Sequence, residues 1–357
     1  NTNSRFVYES VVAFSEQLAA TLPPPLDTVF LVNSGSEADD LALRLAMATT
    51  GRTDVVAVGE AYHGWTYATD AVSTSVADNP TALSTRPSWV HVVDAPNSYR
   101  GKYRGLDATK YACDAAAQIE RLAETGRAPA AFICEPYYGN AGGMPLPDGY
   151  LETVYAQVRR HGGLCIADEV QVGYGRLGRW FWGFEQQAVV PDIVTVAKAM
   201  GNGHPLGAVV TSEPVADRYR TQGYFFSSAG GSPVSSVVGS VVLNAWGEEP
   251  AGQPNARDVG AHLMARLQAL ADMHPIIGTV HGSGLYLGVE LVRDRETLEP
   301  AVEETDRICE RLRHLGVILQ ATGDRLCVLK IKPPLLLDRA GADFFVDALD
   351  HVLATGY

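Results

Sequence analysis

The stretch Val189-Val190-Pro191-Asp192-Ile193-Val194-Thr195-Val196-Ala197-Lys198-Ala199-Met200-Gly201-Asn202-Gly203 decides the fold. Its first half is apolar and β-branched, which reads as a buried strand ending at Val196. The lysine that follows opens onto glycines, a poor setting for a solvated surface charge. Upstream, a second buried run, Leu164-Cys165-Ile166-Ala167, ends at Asp168-Glu169. An amine and a carboxylate at the ends of two buried strands suit pyridoxal phosphate. The lysine forms an imine with its aldehyde, and the aspartate holds a proton on its pyridine nitrogen. Taken singly, each residue also has an ordinary reading. A lone lysine after a strand is usually solvated, and an Asp-Glu pair at a strand end usually caps the next helix.

The chain has 357 residues, enough for one large domain and a smaller one. Hydrophobic residues make up 46% and charged residues 19%, the balance of a folded globular protein. A net charge of −13 argues against nucleic acid or an anionic membrane as partner. No apolar run approaches the roughly 18 residues that span a bilayer. The opening, Asn1-Thr2-Asn3-Ser4-Arg5-Phe6, has neither the basic region nor the apolar core of a signal peptide. Cysteines at 113, 134, 165, 309 and 327 show no CxxC spacing, and two lie in expected strands. They read as reduced core residues of a cytoplasmic protein with no metal site.

Strands and helices alternate, which predicts an α/β fold with a mostly parallel central sheet and helices on both faces. Residues 7–21 and Ser36–Thr49 read as helices. Strands are expected at Asp27–Val32, Asp54–Val58, Val90–Val93, Ala130–Cys134, Gly163–Ala167, Ile193–Val196 and Gly207–Thr211. The Pro/Gly-rich stretch Gly247–Pro254 is the best linker. It divides a large domain, 1–246, from a smaller C-terminal α/β domain, 247–357. The latter should hold strands near Leu285–Val292, Val317–Leu319 and Cys327–Lys330, a helix near 303–314 and a last helix.

Asn33-Ser34-Gly35-Ser36-Glu37-Ala38 places a glycine turn between strand and helix, where backbone N–H groups and the helix dipole suit a phosphate. Ser34 with Glu37 equally fits a capping box. Tyr62-His63-Gly64 follows a strand by a few residues; its tyrosine is either a core aromatic or a plate for a flat ring. Further on come Asp168-Glu169-Val170-Gln171-Val172-Gly173-Tyr174-Gly175-Arg176, then Lys198-Ala199-Met200-Gly201-Asn202-Gly203-His204-Pro205-Leu206-Gly207, then Ser227-Ser228-Ala229-Gly230-Gly231-Ser232-Pro233.

These motifs, in this order from Asn33 to Pro334, resemble the class III (ornithine/4-aminobutyrate type) aminotransferases of the fold-type I pyridoxal phosphate enzymes. The resemblance implies that Ser34, Gly35 and Ser36 grip the cofactor phosphate. It implies that Tyr62, beside His63, stacks on the pyridine ring with Val170 on the opposite face. Gln171 would meet the phenolic oxygen, Asp168 the ring nitrogen, and Lys198 would carry the cofactor and act as base. Ser228 would reach the phosphate of a neighbouring subunit's cofactor, which implies a homodimer with shared active sites. Trp65 and Lys330 would shape the substrate pocket. Members of the family carry several tens of residues before the segment matching Asn1, which leaves room for a longer polypeptide.

Three departures stand out. Many members have an arginine three residues before the Pro-Pro near the C-terminus; here Leu329-Lys330-Ile331-Lys332-Pro333-Pro334 puts Lys330 there, and lysine cannot make the two-pronged contact with a carboxylate. The segment Glu135-Pro136-Tyr137-Tyr138-Gly139-Asn140-Ala141-Gly142 lacks the family's second acid, and Ser227–Pro233 has lost an aromatic and an asparagine. The wording of Lys330–Pro334 and Met200–Pro205 is most similar to the alanine–glyoxylate-aminotransferase-2-like branch. The expected function is amino-group transfer from a primary amine or amino acid to a keto acid. The alternatives are an ammonia–phospho-lyase acting on a phosphorylated amino alcohol, and a non-catalytic cofactor-binding domain of a larger protein.

Overall fold

The computed structural model describes residues 4–139, 141–246 and 253–357. The linker expected at Gly247–Pro254 lies outside them except for Gln253 and Pro254, and the latter opens a helix, Pro254–Met273. The first strands are β1 (Thr28–Val32), β2 (Val55–Val58), β3 (Val90–Val93) and β4 (Ala131–Cys134). A short hairpin of β5 (Tyr137–Tyr138) and β6 (Met144–Pro145) precedes β7 (Leu164–Asp168), β8 (Ile193–Val196) and β9 (Gly207–Thr211). Without the hairpin, these strands form one sheet in the order β1-β9-β8-β7-β4-β2-β3. β9 alone runs against its neighbours β1 and β8; the other pairs are parallel.

The central strands are buried on both faces, which is why they read as unbroken apolar runs. Ile166 and Ile193 pack on one side with the helix that follows β1, α2 (Gly35–Thr50), whose Leu41, Ala42 and Leu45 meet the sheet. Cys165, Ala167 and Val194 turn to the other side. Each fully buried Leu, Ile or Val contributes about 1.5–3 kcal/mol.

A second sheet holds β10 (Ile277–Ser283), β11 (Tyr286–Asp294), β12 (Glu299–Pro300), β13 (Ala321–Thr322) and β14 (Val328–Ile331). Its pairs are all antiparallel. Its own core joins Leu263, Leu287, Val289, Leu329 and Leu349. The strand expected at Val317–Leu319 is not one; pairing starts two residues later, at Ala321. Val317 and Leu319 pack on this core without joining a ladder, while Ile318 between them is exposed. Strand β10, which sequence reading passed over, is polar and glycine-containing, and only Ile277 of it is buried.

Alternation on β11 and β14 sends one set of side chains back to the first sheet. Val289 and Leu291 enter the small core while Glu290 turns away and pairs with Arg100, both side chains nearly dry at 2% and 7% exposure. Arg100 also donates to Leu298 O at 2.8 Å. Removing one partner of a buried pair strands the other charge. Arg100→Ala should therefore cost about 3–5 kcal/mol, read from denaturant unfolding. The paired swap Arg100→Met with Glu290→Leu should cost less than Arg100→Ala alone.

Candidate functional site

The carboxyl ends of β1, β2, β7 and β8 lie on one edge of the first sheet, because these strands run the same way. That edge is where ligands of open α/β sheets bind. A cavity of about 630 Å³ opens there, lined by Ser34, Gly35, Ser36, Tyr62, His63, Asp168, Val170, Gln171 and Lys198, with Asp39, Arg176 and the turn from Asn202 to Leu206. β9 starts at this edge, so the turn before it closes one wall.

Parallel pairing sets Asp168, the last residue of β7, opposite Thr195 of β8. Lys198 follows directly on that strand, in the left-handed region at φ 43°. Such strain in a non-glycine residue persists where the surroundings over-determine it, often at working sites. The carbonyl of Lys198 accepts from Asn202 N at 3.0 Å, closing the turn.

Asp168 is 3% exposed. Its Oδ2 lies 2.7 Å from His63 Nδ1, and its Oδ1 accepts from Val170 N at 3.0 Å. Among the described residues His63 Nε2, which is buried, has no hydrogen-bond partner. The neighbouring acid has the capping duty: Glu169 accepts from Gly183 N at 2.7 Å and Phe184 N at 2.9 Å. Burial pushes the Glu169 carboxyl up to about 8, against the pull of those two donors. Of this pair, Glu169 holds the backbone of the following turn while Asp168 lines the cavity.

The Ser34 turn caps its helix and lines the cavity. Ser34 caps α2, its Oγ accepting from Glu37 N at 3.2 Å, while Glu37 Oε2 accepts from Asn33 N at 3.1 Å. The first N–H groups of this 16-residue helix have no intrahelical partners, and Ser34, Gly35 and Ser36 line the cavity. A Cβ at Gly35 would meet Val170 Cγ1 at 3.0 Å, so glycine lets Val170 close on the turn.

A second cavity of about 740 Å³ adjoins the first, and Tyr62 and Gln171 line both. It is lined also by Glu135, Lys330 and Lys332. Lys330 comes from β14, turned away from the small core that holds Leu329 and Ile331. Burial lowers the Lys330 ammonium, and Glu135 pulls it back. Burial lowers Lys332 to about 8, helped by the charges of Lys330 and Lys198; its Nζ donates to Gln171 Oε1 at 3.3 Å. Glu135, 6% exposed, is raised to about 7 by burial first and then by Asp168.

Two expected residues stand apart. Trp65 is 78% exposed and lines neither cavity; its backbone N–H donates to Ser36 Oγ at 3.3 Å. Ser228 is exposed and also lines neither. Sequence reasoning missed Asp39, Glu135 and Lys332. The signal for Asp39 was an acid inside the apolar stripe Ala38, Leu41, Ala42, Leu45 of a predicted helix.

Residues 2–353 match the family described as Aminotransferase class-III. The chain is 40% identical over 355 residues to "Alanine--glyoxylate aminotransferase 2-like" of Drosophila melanogaster, covering 97% of this chain and 71% of the relative. It is 36% identical over 366 residues to "Ethanolamine-phosphate phospho-lyase homolog 1" of Caenorhabditis elegans, covering 98% and 78%. Among solved structures, an Arthrobacter phospholyase in complex with phosphoethanolamine superposes with a TM-score of 0.90 at 33% identity, over 100% of this chain and 84% of that one. An amine transaminase from an uncultivated Pseudomonas species gives 0.87 at 27% identity, over 98% and 82%. With its sheet order, its cavity and these likenesses together, the chain belongs to the class III aminotransferases, a family of pyridoxal-phosphate-dependent enzymes.

Proposed function

We propose that the chain transfers an amino group from a primary amine or amino acid to a keto acid, in two half-reactions at the cavity above β7 and β8. The observation that carries this reading is the convergence of Lys198, Asp168 and the N-terminus of α2 on one cavity.

The residues fit pyridoxal phosphate. The cavity is lined by the first residues of α2, by Tyr62 and Val170, by the buried carboxylate of Asp168 and by Lys198, the groups that a phosphate, a flat ring, a ring nitrogen and an aldehyde would need. Once bound, the cofactor supplies an electron sink for the substrate's α-carbon. Ser34, Gly35 and Ser36 hold the phosphate end. Asp168 keeps the ring nitrogen protonated, because an adjacent negative charge favours the cationic form. His63, 2.7 Å away, fixes the orientation of that carboxylate. Lys198 carries a proton to and from the α-carbon as general base and acid. Lys330 and Lys332 face the neighbouring cavity, where the rest of the substrate would lie.

A second reading is ammonia–phospho-lyase chemistry on a phosphorylated amino alcohol. Lys330 and Lys332 favour it: two ammonium groups line the substrate-side cavity where an arginine fork for a carboxylate is absent. The assembly we propose is a homodimer with Ser228 serving the partner's site. Its support is the exposure of Ser228 beside an apolar stripe, Val234, Val237 and Val241, which is 67%, 52% and 64% exposed on one helix. The compartment we propose is the cytoplasm, on the ground that all five cysteines are free. Two relatives carry mitochondrial names. No helix of the described residues is long and apolar enough to cross a membrane.

Borohydride reduction of the cofactor-loaded protein and peptide mapping should place the pyridoxyl group on Lys198. Lys198→Ala should keep the phosphate contacts yet lose turnover by about a hundred- to ten-thousand-fold; a label on another lysine would overturn the assignment. A screen of amines and phospho-amines, with and without pyruvate or 2-oxoglutarate, separates the two chemistries. Amino transfer needs the keto acid, whereas steady release of ammonia and phosphate without one identifies the lyase. For the assembly, a Ser228→Ala subunit mixed with a Lys198→Ala subunit should regain activity. The site around the intact Lys198 then borrows a normal Ser228, recovering a hydrogen bond of about 1.5–3 kcal/mol. An active monomer would refute the shared site.

A further inference from the structure

Beneath the ring-nitrogen end of the cavity lies an acid that the chemistry above does not use. Asp39 sits on α2, is 1% exposed, and lines the cavity floor. Its Oδ1 accepts from Thr195 Oγ1 at 2.6 Å. One side-chain nitrogen or oxygen each of Asp39, His63 and Asp168 lies within 4.8 Å of the others. A carboxyl oxygen of Asp39 and one of Asp168 therefore share one small buried site.

Two carboxylates that share a dry site cannot both be ionised at neutral pH, because like charges in low dielectric repel strongly. One must keep a proton. The donor sets say which. Asp168 accepts from the Val170 N–H, contacts the His63 ring nitrogen, and faces the ring nitrogen of the cofactor in the reading given above. Asp39 has one hydroxyl donor, Thr195. The better-solvated carboxylate stays charged. Burial and the charge of Asp168 both push the Asp39 carboxyl well above its usual range, while Thr195 and the more distant Lys198 pull the other way. No other titratable side chain faces it from the flanking strands among the described residues: Thr195 is the contact from β8, and β9 offers Gly207–Thr211, without a charge.

We infer that Asp39 is a positioning residue held as an un-ionised carboxylic acid, donating its proton to Asp168 and accepting from Thr195, so that the pair carries one negative charge. This chain of donors locks the Asp168 carboxylate in place from below while His63 holds it from the side. It also tempers that carboxylate, which shares its charge among several donors. The inference rests on the proposed role of Asp168, but the proton on Asp39 is a property of the folded chain alone.

The test compares wild type with Asp39→Asn and Asp39→Ala. Asparagine keeps the shape, donates an N–H toward Asp168 and accepts from Thr195, but can never be charged. Infrared difference spectra of the cofactor-free protein at neutral pH, wild type minus Asp39→Asn, should show one protonated-carboxyl stretch that shifts in deuterium oxide, over and above the absorption of Glu135 and Glu169 common to both proteins. Cofactor retention, followed by equilibrium dialysis, should stay within about threefold of wild type in Asp39→Asn and weaken by about tenfold or more in Asp39→Ala, the loss of a charge-assisted hydrogen bond. Rescue by the uncharged isostere separates positioning from a need for negative charge. Absence of a carboxyl band from the difference spectrum would overturn the inference, as would equal loss of cofactor in both variants or unchanged retention in Asp39→Ala. The band is read without cofactor or substrate, so failure of the proposed amino transfer would leave it standing.

Discussion

The parallel pairing of β7 with β8 is the constraint on which the rest depends. It sets Asp168 opposite Thr195 and so fixes how far Lys198 stands from the carboxylate. Side chains on a strand alternate between faces. A slip of one residue would drive Asp168 into the sheet's far side and bring Ala167 to the cavity. Register of this kind is held by burial on both faces: Ile166 and Ile193 seat against α2, and Ala167 and Val194 against the opposite layer. The site inherits its geometry from packing several residues away.

The same burial makes the site's charges interdependent. Asp168, Asp39, Glu135 and Glu169 all lie within the dry core, and for the last three burial raises the carboxyl above its ordinary range. Glu169 is offset by two backbone donors, Asp39 by a hydroxyl, and Glu135 by the field of His63, Lys330 and Lys198. An unpaired buried charge costs several kcal/mol, so such groups must be satisfied or neutral. Acids gathered at one end of the sheet thus have different donors around them, and with them different tasks.

The second sheet contributes to function through its outward face. β11 and β14 place Glu290 and Lys330 on the side away from their own core. The first pairs with Arg100 and ties the second sheet to the segment that follows β3; the second lines the cavity beside the proposed cofactor site. One alternation rule therefore serves both cohesion and specificity. Because the cavity wall is shared, a change in how the sheets meet would also move the charges that face the substrate.

Much of this was legible in the chain of residues. Continuous β-branched runs fix central strands, since only strands buried on both faces can be apolar throughout. The bounds of β8 and β9, and the placing of Ser34, Gly35, His63, Asp168, Val170 and Lys198 on one cavity, follow from strand ends that all point the same way. The polar strand β10 was hidden because most of its side chains are only half-buried, so no period-2 pattern marks it. Val317–Leu319 misled for the opposite reason: apolar side chains can serve a core without joining a ladder. What only the tertiary structure decided were contacts between distant segments. Asp39 meets Asp168 across 129 positions, from helix to strand, and Lys332 meets Gln171 across 161. Local pattern records which face a side chain takes, but not which charge waits there. That depends on how separate elements pack, and the packing sets the protonation of the site.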